Sequence, residues 1–205
     1  MEHDGTYDKA TTRAEVIARR NAIPADERAA RSRALCERLL DELAPLLPAS
    51  ATVAAYAALG SEVDVAVFLR GAYERGWRVA LPCMLKAAAP AAPAAHMEFL
   101  QVSRAAFEAH EAPFLAKPAR ALPADDPALA TFPRVAPAQM DAVLVPMVAF
   151  DDRLNRLGYG GGNYDRFLGN LRADALVVGV AFEEQRVPAV PLEPHDLPLP
   201  RILRA

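Results

Sequence analysis

A glycine-rich segment at residues 156–165 constrains the fold and the function of this chain more than any other feature. It reads Arg-Leu-Gly-Tyr-Gly-Gly-Gly-Asn-Tyr-Asp and holds four of the ten glycines in the sequence. The apolar stretch 141–150, interpreted as a buried strand ending near Pro146, precedes it, and a helical pattern at 164–171 follows. A loop between such a strand and a helix lies at the carboxyl end of the strand, where open α/β sheets bind ligands. The sequence therefore predicts a ligand-binding loop in an α/β protein.

Two strand–helix–strand units set the predicted architecture. In the first unit, Asp64 is a candidate N-cap of the helix and Gly76 closes the helix. Such units favour parallel strands that are joined by right-handed crossovers. We therefore predict one domain over residues 1–205, with an α/β fold built as a three-layer α/β/α sandwich and a mainly parallel sheet. The first unit is predicted to comprise the strand 52–58, the helix that Asp64 caps and that ends at residue 73, and the strand 77–82. The second is predicted to comprise the strand 141–150, the helix 164–171 and the strand 175–182.

The amino-terminal part of the chain has the pattern of two helices. The first is predicted at residues 11–21, and the second begins near Asp26, after Pro24, and runs to about residue 43. Acidic residues in the first turn of the second helix match the positive end of the helix dipole. An apolar stripe predicts its buried face, and this stripe comprises Ala30, Leu35, Leu39, Leu40 and Leu43.

Three further segments are expected to contribute little regular structure. The Ala- and Pro-rich stretch 87–95 has low complexity, and we expect it on the surface. Prolines recur from 112 to 138, which predicts a long irregular crossing; loops of that length tend to be functional or mobile. The proline-rich tail from residue 183 onward is expected to drape over the surface without regular elements. Between these segments, residues 97–102 have an extended pattern.

The composition of the glycine-rich segment indicates phosphate binding. Glycine allows positive φ and lets main-chain N–H groups converge on an anion, and a helix that begins near Tyr164 adds the positive end of its dipole. Arg156 offers a guanidinium for bidentate phosphate contacts, and Asp165 offers the oxygen ligand that Mg²⁺ accepts beside phosphate. The segment lacks the lysine of the Walker pattern and, at Asn163, the last glycine of the dinucleotide pattern. A glycine-rich surface turn is the alternative interpretation.

The charge balance requires cations to be concentrated near any phosphate site. The net charge of −3 gives no basic footprint for DNA or RNA. Lys9 and Arg13 are four residues apart and would project from one helix face, although a solvated face is the simpler explanation of this pair taken alone.

Cys36 and Cys83 have no metal or redox spacing and are expected to be reduced core thiols. The polar lead and the lack of an apolar run near the roughly 20 residues of a membrane span predict a cytoplasmic protein.

Residues 145–151 read Val-Pro-Met-Val-Ala-Phe-Asp, and residues 155–168 read Asn-Arg-Leu-Gly-Tyr-Gly-Gly-Gly-Asn-Tyr-Asp-Arg-Phe-Leu. Together they closely resemble the signature of the 5-formyltetrahydrofolate cyclo-ligase family, which is also called methenyltetrahydrofolate synthetase. The resemblance extends across nearly the whole chain through shorter motifs that match by order and spacing. These motifs are Lys9 with Arg13, Arg31-Ser32, Tyr56, Glu62-Val-Asp64, Ala181-Phe-Glu-Glu-Gln185 and His195-Asp196.

The resemblance implies an enzyme that uses ATP and Mg²⁺ to convert 5-formyltetrahydrofolate, with or without a polyglutamate tail, to 5,10-methenyltetrahydrofolate. ADP and phosphate are released. A formamide oxygen is a poor leaving group, so ATP would phosphorylate it, and N10 would close onto the carbon of the resulting imidate-like phosphate. Catalysis would then depend on positioning and on neutralising phosphoryl charge. We expect a monomer that acts on this small molecule, without nucleic-acid or membrane partners.

Matching positions carry the site of the family onto this chain. Arg156 and Tyr159 would be catalytic, and Asp165 and Asp196 would bind Mg²⁺. Glu62 would accept hydrogen bonds from the pterin N–H donors; without the resemblance, Glu62 and Asp196 would be interpreted as loop carboxylates. ATP would be bound by Lys9, Ala10, Thr11, Thr12, Arg13, Arg156, Leu157, Gly158, Tyr159, Gly160, Gly161, Gly162, Asn163 and Tyr164. The folate would be bound by Arg13, Ala57, Glu62, Tyr159, Gly160, Gly161, Gly162 and Asn163.

Three positions depart from the pattern of the family. Leu154 stands where the family usually has glycine, Asn163 replaces the first tyrosine of a common pair, and the chain ends Arg-Ile-Leu-Arg-Ala at 201–205 without the usual Thr-Glu. None of these departures removes a charge assigned to ATP or Mg²⁺. Two other functions stay open: a non-catalytic relative that binds folate or nucleotide, and an α/β enzyme that acts on sugar phosphates or acyl-CoA.

Overall fold

The computed structural model describes residues 8–86, 95–193 and 196–205. The polar lead before Asp8, nearly all of the low-complexity stretch 87–95, and His195 therefore lie outside the described residues. The helices are α1 (Lys9–Asn21), α2 (Ala25–Leu43), α3 (Ala66–Glu74), α4 (Arg104–Glu108), α5 (Pro113–Ala116) and α6 (Asn163–Leu168). The strands are β1 (Thr52–Ala54), β2 (Arg78–Lys86), β3 (Ala95–Val102), β4 (Arg134–Val135), β5 (Ala142–Pro146), β6 (Ala149–Phe150), β7 (Arg156–Leu157), β8 (Leu176–Ala181) and β9 (Ile202–Arg204).

Seven of these strands form one sheet in the order β4-β3-β2-β1-β5-β8-β9. The four neighbouring pairs from β2 to β9 are parallel, whereas β3 pairs antiparallel with both β2 and β4. Both predicted strand–helix–strand units are confirmed, because α3 connects the parallel pair β1 and β2, and α6 lies between the parallel pair β5 and β8. The predicted mainly parallel sheet is therefore confirmed.

Side chains from the two faces of the sheet enter separate cores, as the alternation of a strand requires. Val53 and Val79 belong to the core that includes buried residues of α2 and α3. Their neighbours Ala54 and Ala80 belong to a second core that includes Phe167 of α6. Helices thus cover both faces of the sheet, which confirms the predicted three-layer α/β/α sandwich.

The two amino-terminal helices begin where local chemistry favours a start. Asp8 caps α1, and its Oδ1 accepts from the backbone N–H groups of Ala10 and Thr11 at 2.7 and 2.9 Å. The buried face of α2 matches the predicted stripe except at Ala30, which is exposed. Ala30 is five residues from Leu35 and therefore lies about 140° away around the helix. Ser32 takes its place in the buried face, as does Cys36.

Several strand boundaries differ from the predictions. β1 is shorter than the predicted strand 52–58, and β2 continues through Pro82 to Lys86 instead of ending there. The predicted strand 141–150 is divided, because β5 ends at Pro146 and β6 pairs with β7 in a separate two-stranded hairpin. Asp64 is not the N-cap of α3, which is Val65, although Asp64 Oδ1 accepts from the N–H of Ala66 at 2.9 Å.

The carboxyl-terminal tail is more regular than predicted. Its last residues form β9, which pairs in parallel with β8 at the edge of the sheet. Arg31 of α2 holds this edge in place by donating to both carboxylate oxygens of Glu184, at 2.7 and 2.8 Å, and to the main-chain oxygen of Ala205 at 2.6 Å. The expectation of a tail without regular elements was wrong, because a three-residue strand is too short to show periodicity in the sequence.

The proline-rich stretch 112–138 also contains regular elements that the sequence did not indicate. It includes α5, the short edge strand β4 and two 3₁₀ turns. Phe114, Leu122 and Phe132 are buried in the core on the α2 side of the sheet. The prediction of a wholly irregular surface crossing was therefore wrong, since these side chains anchor the stretch to the sheet.

Both cysteines are buried and unpaired, which confirms the prediction of core thiols. Burial raises the pKa of Cys36 and of Cys83 to about 11. Among the helices of the described residues, none has the length and apolar character that a membrane crossing requires.

The β6–β7 hairpin explains one departure from the family pattern. Leu154 lies in the hairpin with a φ of 65°, which is in the left-handed region. Side chains other than glycine are disfavoured there by roughly 1–2 kcal/mol. The turn is fixed by Asp151, whose Oδ1 accepts from the N–H groups of Arg153 and Asn155 at 2.9 and 3.1 Å. Glycine at position 154 would suit this turn better than leucine.

We predict that Leu154→Gly is more stable than Leu154→Ala by about 1 kcal/mol, because both variants remove the side chain but only alanine keeps the strain. Urea denaturation of the two purified variants measures the difference. An alanine variant as stable as the glycine variant would contradict a strained backbone at this position.

Candidate functional site

A cavity of about 780 Å³ opens where the glycine-rich loop meets α1, the turn before α3 and the carboxyl-terminal tail. Its floor includes Pro146, the last residue of β5, so it lies at the carboxyl end of a central parallel strand. The structure brings most of the predicted site residues to this cavity: Lys9, Ala10, Arg13, Glu62, all ten residues of 156–165, and Asp196.

Positive φ values shape the glycine-rich loop. Gly160 has a φ of 101°, and Gly162, which precedes α6, has a φ of 60°. A β carbon on Gly160 would lie 3.4 Å from Nη2 of Arg13, whose Nε donates to the main-chain oxygen of Gly158 at 2.7 Å. Glycine therefore allows the guanidinium from α1 to pack directly against the loop. The helix that follows the loop, α6, has only six residues, so its dipole is small. We therefore assign most of the positive electrostatic potential of the loop to its main-chain N–H groups and to the neighbouring cations.

Arg156 forms an ion pair across the loop with Asp165. Its Nη2 lies 2.5 Å from Oδ1 of Asp165, and its Nη1 donates to the main-chain oxygen of Leu197. The Arg156 side chain is only 4% exposed. The group predicted to bind phosphate is thus held by the carboxylate predicted to bind Mg²⁺.

Lys9 likewise forms an ion pair with a carboxylate that is predicted to bind Mg²⁺. Its Nζ lies 2.6 Å from Oδ2 of Asp196 and 3.0 Å from Oε2 of Glu193. Partial burial works to lower the pKa of Lys9, but the bonds to the two carboxylates outweigh it and raise the pKa. Lys9 therefore stays charged, and it joins α1 to the tail.

The two carboxylates suit a metal ion that also binds phosphate. Within the described residues, no group of three or more His, Cys, Asp or Glu side chains could hold a metal ion by itself. Mg²⁺ beside phosphate commonly uses one or two carboxylates, with phosphate and water completing its octahedral shell. Asp165 and Asp196 both line the cavity with hard oxygen donors, so this pair fits Mg²⁺ in the presence of a polyphosphate.

Two buried oxygen atoms of the cavity wall lack hydrogen-bond partners in the described part of the chain: Oε1 of Glu62 and the hydroxyl of Tyr164. The other oxygen of Glu62 accepts from the N–H of Leu59 at 2.8 Å. Burial raises the pKa of Glu62, against the opposing effects of this bond and of the charge of Arg20. An unpaired buried polar atom costs about 1–3 kcal/mol, so these oxygens mark places where a ligand would supply partners.

Three predicted residues do not line the cavity. The hydroxyl of Thr11 donates to Oδ2 of Asp8 at 2.8 Å, and that of Thr12 donates to the main-chain oxygen of Asp8 at 3.0 Å. Both threonines therefore stabilise the first turn of α1. Ala57 is half-buried just after β1, outside the lining. Their assignment to ATP or folate stays a prediction.

Other residues of the cavity were not predicted from the sequence. Met84 on β2 and Met97 on β3 form part of its wall, and the proline-rich stretch contributes Pro118 and Ala119. The strand alternation that places Pro82 on the cavity side also places Met84 there. If the predicted strand had extended to the observed end of β2, the sequence would have indicated that Met84 lines the cavity.

Asn163, the altered position of the tyrosine pair, begins α6 and stabilises the loop. Its Oδ1 accepts from Nη2 of Arg166 at 2.7 Å, and the same nitrogen donates to the main-chain oxygen of Gly161 at 2.8 Å. Its Nδ2 lies 3.7 Å from the sulfur of Met84. The asparagine therefore keeps a hydrogen-bonding role in the loop.

The remaining motifs build the frame beneath the loop. Gln185, which is buried, donates to the main-chain oxygens of Met147 and Val148 at 2.6 and 3.2 Å. The hydroxyl of Ser32 accepts from the N–H of Asp64 at 3.2 Å, next to the turn that carries Glu62. These residues act through the main chain of the site and do not line the cavity.

We predict that Gly160→Ala destabilises the protein by about 1 kcal/mol or more, because alanine is strained at this φ and crowds Arg13. Gly158→Ala is the matched control, since a β carbon at Gly158 meets no atom within 4 Å. Thermal denaturation of both variants measures the effect. Equal melting midpoints would contradict the described loop conformation.

Comparison with known proteins identifies relatives along the whole chain. A family model described as the 5-formyltetrahydrofolate cyclo-ligase family matches residues 5–205. A 5-formyltetrahydrofolate cyclo-ligase from Mycolicibacterium smegmatis is 29% identical over 195 residues, which cover 95% of this chain and 92% of that protein. The cyclo-ligase from Haemophilus influenzae is 46% identical over 66 residues, which cover 32% of this chain and 35% of its own length, so that match spans about a third of each protein.

Solved structures have the same fold. A 5,10-methenyltetrahydrofolate synthetase from Mycoplasma pneumoniae superposes with a TM-score of 0.71 at 22% identity, covering 95% of this chain and 97% of the other. The Aquifex aeolicus 5,10-methenyltetrahydrofolate synthetase has a TM-score of 0.64 at 27% identity, covering 96% and 89%. With the family model matching from residue 5 to the last residue, the chain belongs to the 5-formyltetrahydrofolate cyclo-ligase family.

Proposed function

We propose that this protein is an ATP- and Mg²⁺-dependent 5-formyltetrahydrofolate cyclo-ligase, which forms 5,10-methenyltetrahydrofolate, ADP and phosphate. One observation carries the proposal. A single cavity is lined by the glycine-rich loop, the cations Lys9 and Arg156, the carboxylates Asp165 and Asp196, and a buried glutamate. Such a cavity offers separate partners to a polyphosphate, a metal ion and a polar heterocycle. The names of the relatives supply the substrate.

Glu62 is the proposed anchor for the pterin ring of the folate. Its Oε2 is fixed by the N–H of Leu59, so the unpaired Oε1 is held ready to accept a hydrogen bond. The pterin ring presents N–H donors, and a hydrogen bond to a charged acceptor contributes roughly 1.5–3 kcal/mol. A buried carboxylate without such a donor is costly, so the pocket selects for a donor-bearing ring.

The glycine-rich loop and the three cations Lys9, Arg13 and Arg156 are the proposed ATP site. Main-chain N–H groups and guanidinium forks suit phosphate oxygens. Asp165 and Asp196 would hold Mg²⁺, which supplies charge neutralisation to the phosphates when it is bound. The nucleotide and the folate would then meet at Tyr159, which is 48% exposed on the loop.

The ion pairs that line the cavity suggest how this site accepts ATP and a metal ion. Arg156 is paired with Asp165, and Lys9 is paired with Asp196, so two of the three cations proposed for phosphate are neutralised by a carboxylate proposed for Mg²⁺. When ATP and the metal ion bind together, cations and carboxylates would exchange partners, and no charge would be left unpaired. Either ligand alone would have to break an ion pair without compensating the second partner, which is costly for a buried charge.

The proposed reaction transfers the γ-phosphoryl group of ATP to the formyl oxygen of the folate. N10 then attacks the formyl carbon and gives up its proton to solvent, and the carbon–oxygen bond breaks as phosphate leaves with the electron pair of that bond. Arg156 would stabilise the phosphoryl charge and Tyr159 would border the transferring group, so both act mainly by positioning and electrostatics. Removal of such a stabilising donor usually costs about 10²–10³ in rate.

We predict that the purified protein, with ATP and Mg²⁺, produces the methenyl chromophore from 5-formyltetrahydrofolate. Arg156→Ala and Asp165→Asn should each lower kcat by about 10²-fold or more, because the first removes a phosphate partner and the second a metal ligand. The asparagine keeps an oxygen that can accept from Arg156, so the fold should survive. Absorbance at the methenyl band measures turnover, and circular dichroism checks the fold.

Arg153→Ala and Asp152→Asn are matched controls, since both side chains are exposed in the hairpin and lie outside the cavity. Their turnover should match that of the unaltered protein. Full turnover in both site variants would overturn the site assignment. Folate binding without a chromophore and without ATP hydrolysis would instead favour a non-catalytic relative.

A further inference from the structure

Arg20 is a buried cation that none of the ligand assignments uses. It lies in the last turn of α1 and is only 3% exposed. Its Nε donates to the hydroxyl of Ser61 at 2.9 Å, and its Nη2 donates to the hydroxyl of Tyr159 at 2.8 Å. It forms no ion pair with a carboxylate among the described residues. A buried charge destabilises the fold unless it is compensated. The burial of this charge therefore indicates that Arg20 has a function besides packing.

The bonds of Arg20 join separate segments of the cavity wall. Ser61 directly precedes Glu62 and donates in turn to Oδ1 of Asn21 at 2.5 Å. The Nη1 group of Arg20 lies 3.5 Å from the main-chain oxygen of Met147, just beyond the end of β5. Together with the bond to Tyr159, these contacts fix the turn that carries Glu62 against the glycine-rich loop. One planar side chain thus holds both walls of the proposed folate pocket.

The bond from Arg20 also orients the hydroxyl of Tyr159. A phenol hydroxyl that accepts from Arg20 has its own proton available for a different acceptor. The Tyr159 ring is half exposed in the cavity, whereas its hydroxyl is held at its far end. Loss of Arg20 would remove this bond and leave the ring less restrained in the wall.

The charge of Arg20 complements the buried carboxylate of Glu62. The titratable groups that interact with Glu62 from other segments are the phenols of Tyr56, Tyr159 and Tyr164, which are neutral near pH 7, and the guanidinium of Arg20. Burial raises the pKa of Glu62, and the positive charge of Arg20 acts against that rise. The N–H of Leu59, the charge of Arg20 and the hydroxyl of Tyr159 together favour the charged, accepting form of this carboxylate, and Arg20 is the cation among them.

We propose that Arg20 is a positioning residue for the folate pocket, which holds the Glu62 turn and Tyr159 together and so affects the affinity for the folate, which contacts both, more than that for ATP, which contacts Tyr159 but not Glu62. The proposal rests on the proposed function, since it assigns Glu62 to the folate. It predicts an effect that is selective for one of the two substrates.

Arg20→Met tests the proposal because it removes the charge and the donors while keeping an unbranched apolar stem. We expect the KM for 5-formyltetrahydrofolate to rise about tenfold or more, with the KM for ATP within about twofold of its original value. Arg20→Lys keeps the charge without the fork and should recover part of the loss. Arg19→Met is the matched control: Arg19 is exposed and outside this cavity, so neither KM should change.

A double variant separates positioning from general destabilisation. If Arg20 acts through Tyr159, the Arg20→Met change should raise the folate KM much less in a Tyr159→Phe background than in the unaltered protein. An unchanged folate KM in Arg20→Met would overturn the proposal. A parallel rise of both KM values with a lowered melting midpoint would overturn it too. If Arg20→Met does not fold, Arg20→Lys and Ser61→Ala decide, and each should raise the folate KM alone.

Calorimetry with 5-formyltetrahydrofolate distinguishes this proposal from the proposed function. If the unaltered protein binds the folate but forms no methenyl product, the proposed function fails, and weaker binding by Arg20→Met would still support the role of Arg20. Equal folate binding by the unaltered protein and Arg20→Met would overturn that role whatever the turnover. No folate binding by the unaltered protein would overturn both.

Discussion

The ion pair between Arg156 and Asp165 is the interaction on which the candidate site depends most. It joins β7 to the first turn of α6 and thereby closes the glycine-rich loop at both of its ends. Because the guanidinium is almost fully buried, loss of the carboxylate would leave a charge without compensation inside the protein. The loop therefore needs either this pair or a ligand that offers new partners to both groups. The pair of Lys9 with Asp196 likewise joins α1 to the tail, where Lys9 has a second carboxylate partner in Glu193.

The sheet provides the rigid frame that these pairs require. β5 ends at Pro146 on the floor of the cavity, and the hairpin that follows delivers Arg156 to its rim. Gln185 fixes the main chain between β5 and the hairpin, and Arg31 anchors the edge strand β9 through Glu184 and Ala205. The short motifs that resemble the family at distant places in the sequence thus serve two roles. Some line the cavity, and others hold the frame on which the cavity is built.

The parts of the fold that sequence predicted are those with local signals. The strand before the glycine-rich segment and the helix after it have clear patterns, so the loop was expected at a carboxyl edge of a parallel sheet. The separate hairpin, β4 and β9 were not expected, because strands of two or three residues have no periodicity and pair with distant partners. Asn163 was assigned to ATP and the folate through the family resemblance, and the structure adds a role in holding the loop through Arg166.

The residues of the candidate site also divide into those that the sequence indicated and those that only the tertiary fold identifies. Lys9, Glu62 and Asp196 were assigned through the family resemblance, and all three line the cavity. Arg20 was not identified, because it lies among several arginines of α1 and its partner Tyr159 is 139 residues away. A contact of that kind depends on the tertiary fold and leaves no spacing pattern in the sequence. Leu154 is an intermediate case: the sequence marked it as unusual, and the positive φ gives the physical reason.

We propose that Asp165 and Asp196 compete with phosphate for the cations when Mg²⁺ is absent. Calorimetric titration with ATP in the presence of a chelator tests it directly, with the unaltered protein and the double variant Asp165→Asn, Asp196→Asn. We predict that the variant binds Mg²⁺-free ATP several-fold more tightly, by roughly 1 kcal/mol, and that added Mg²⁺ improves binding only in the unaltered protein. Weaker Mg²⁺-free binding by the variant would contradict the proposed exchange of ion pairs.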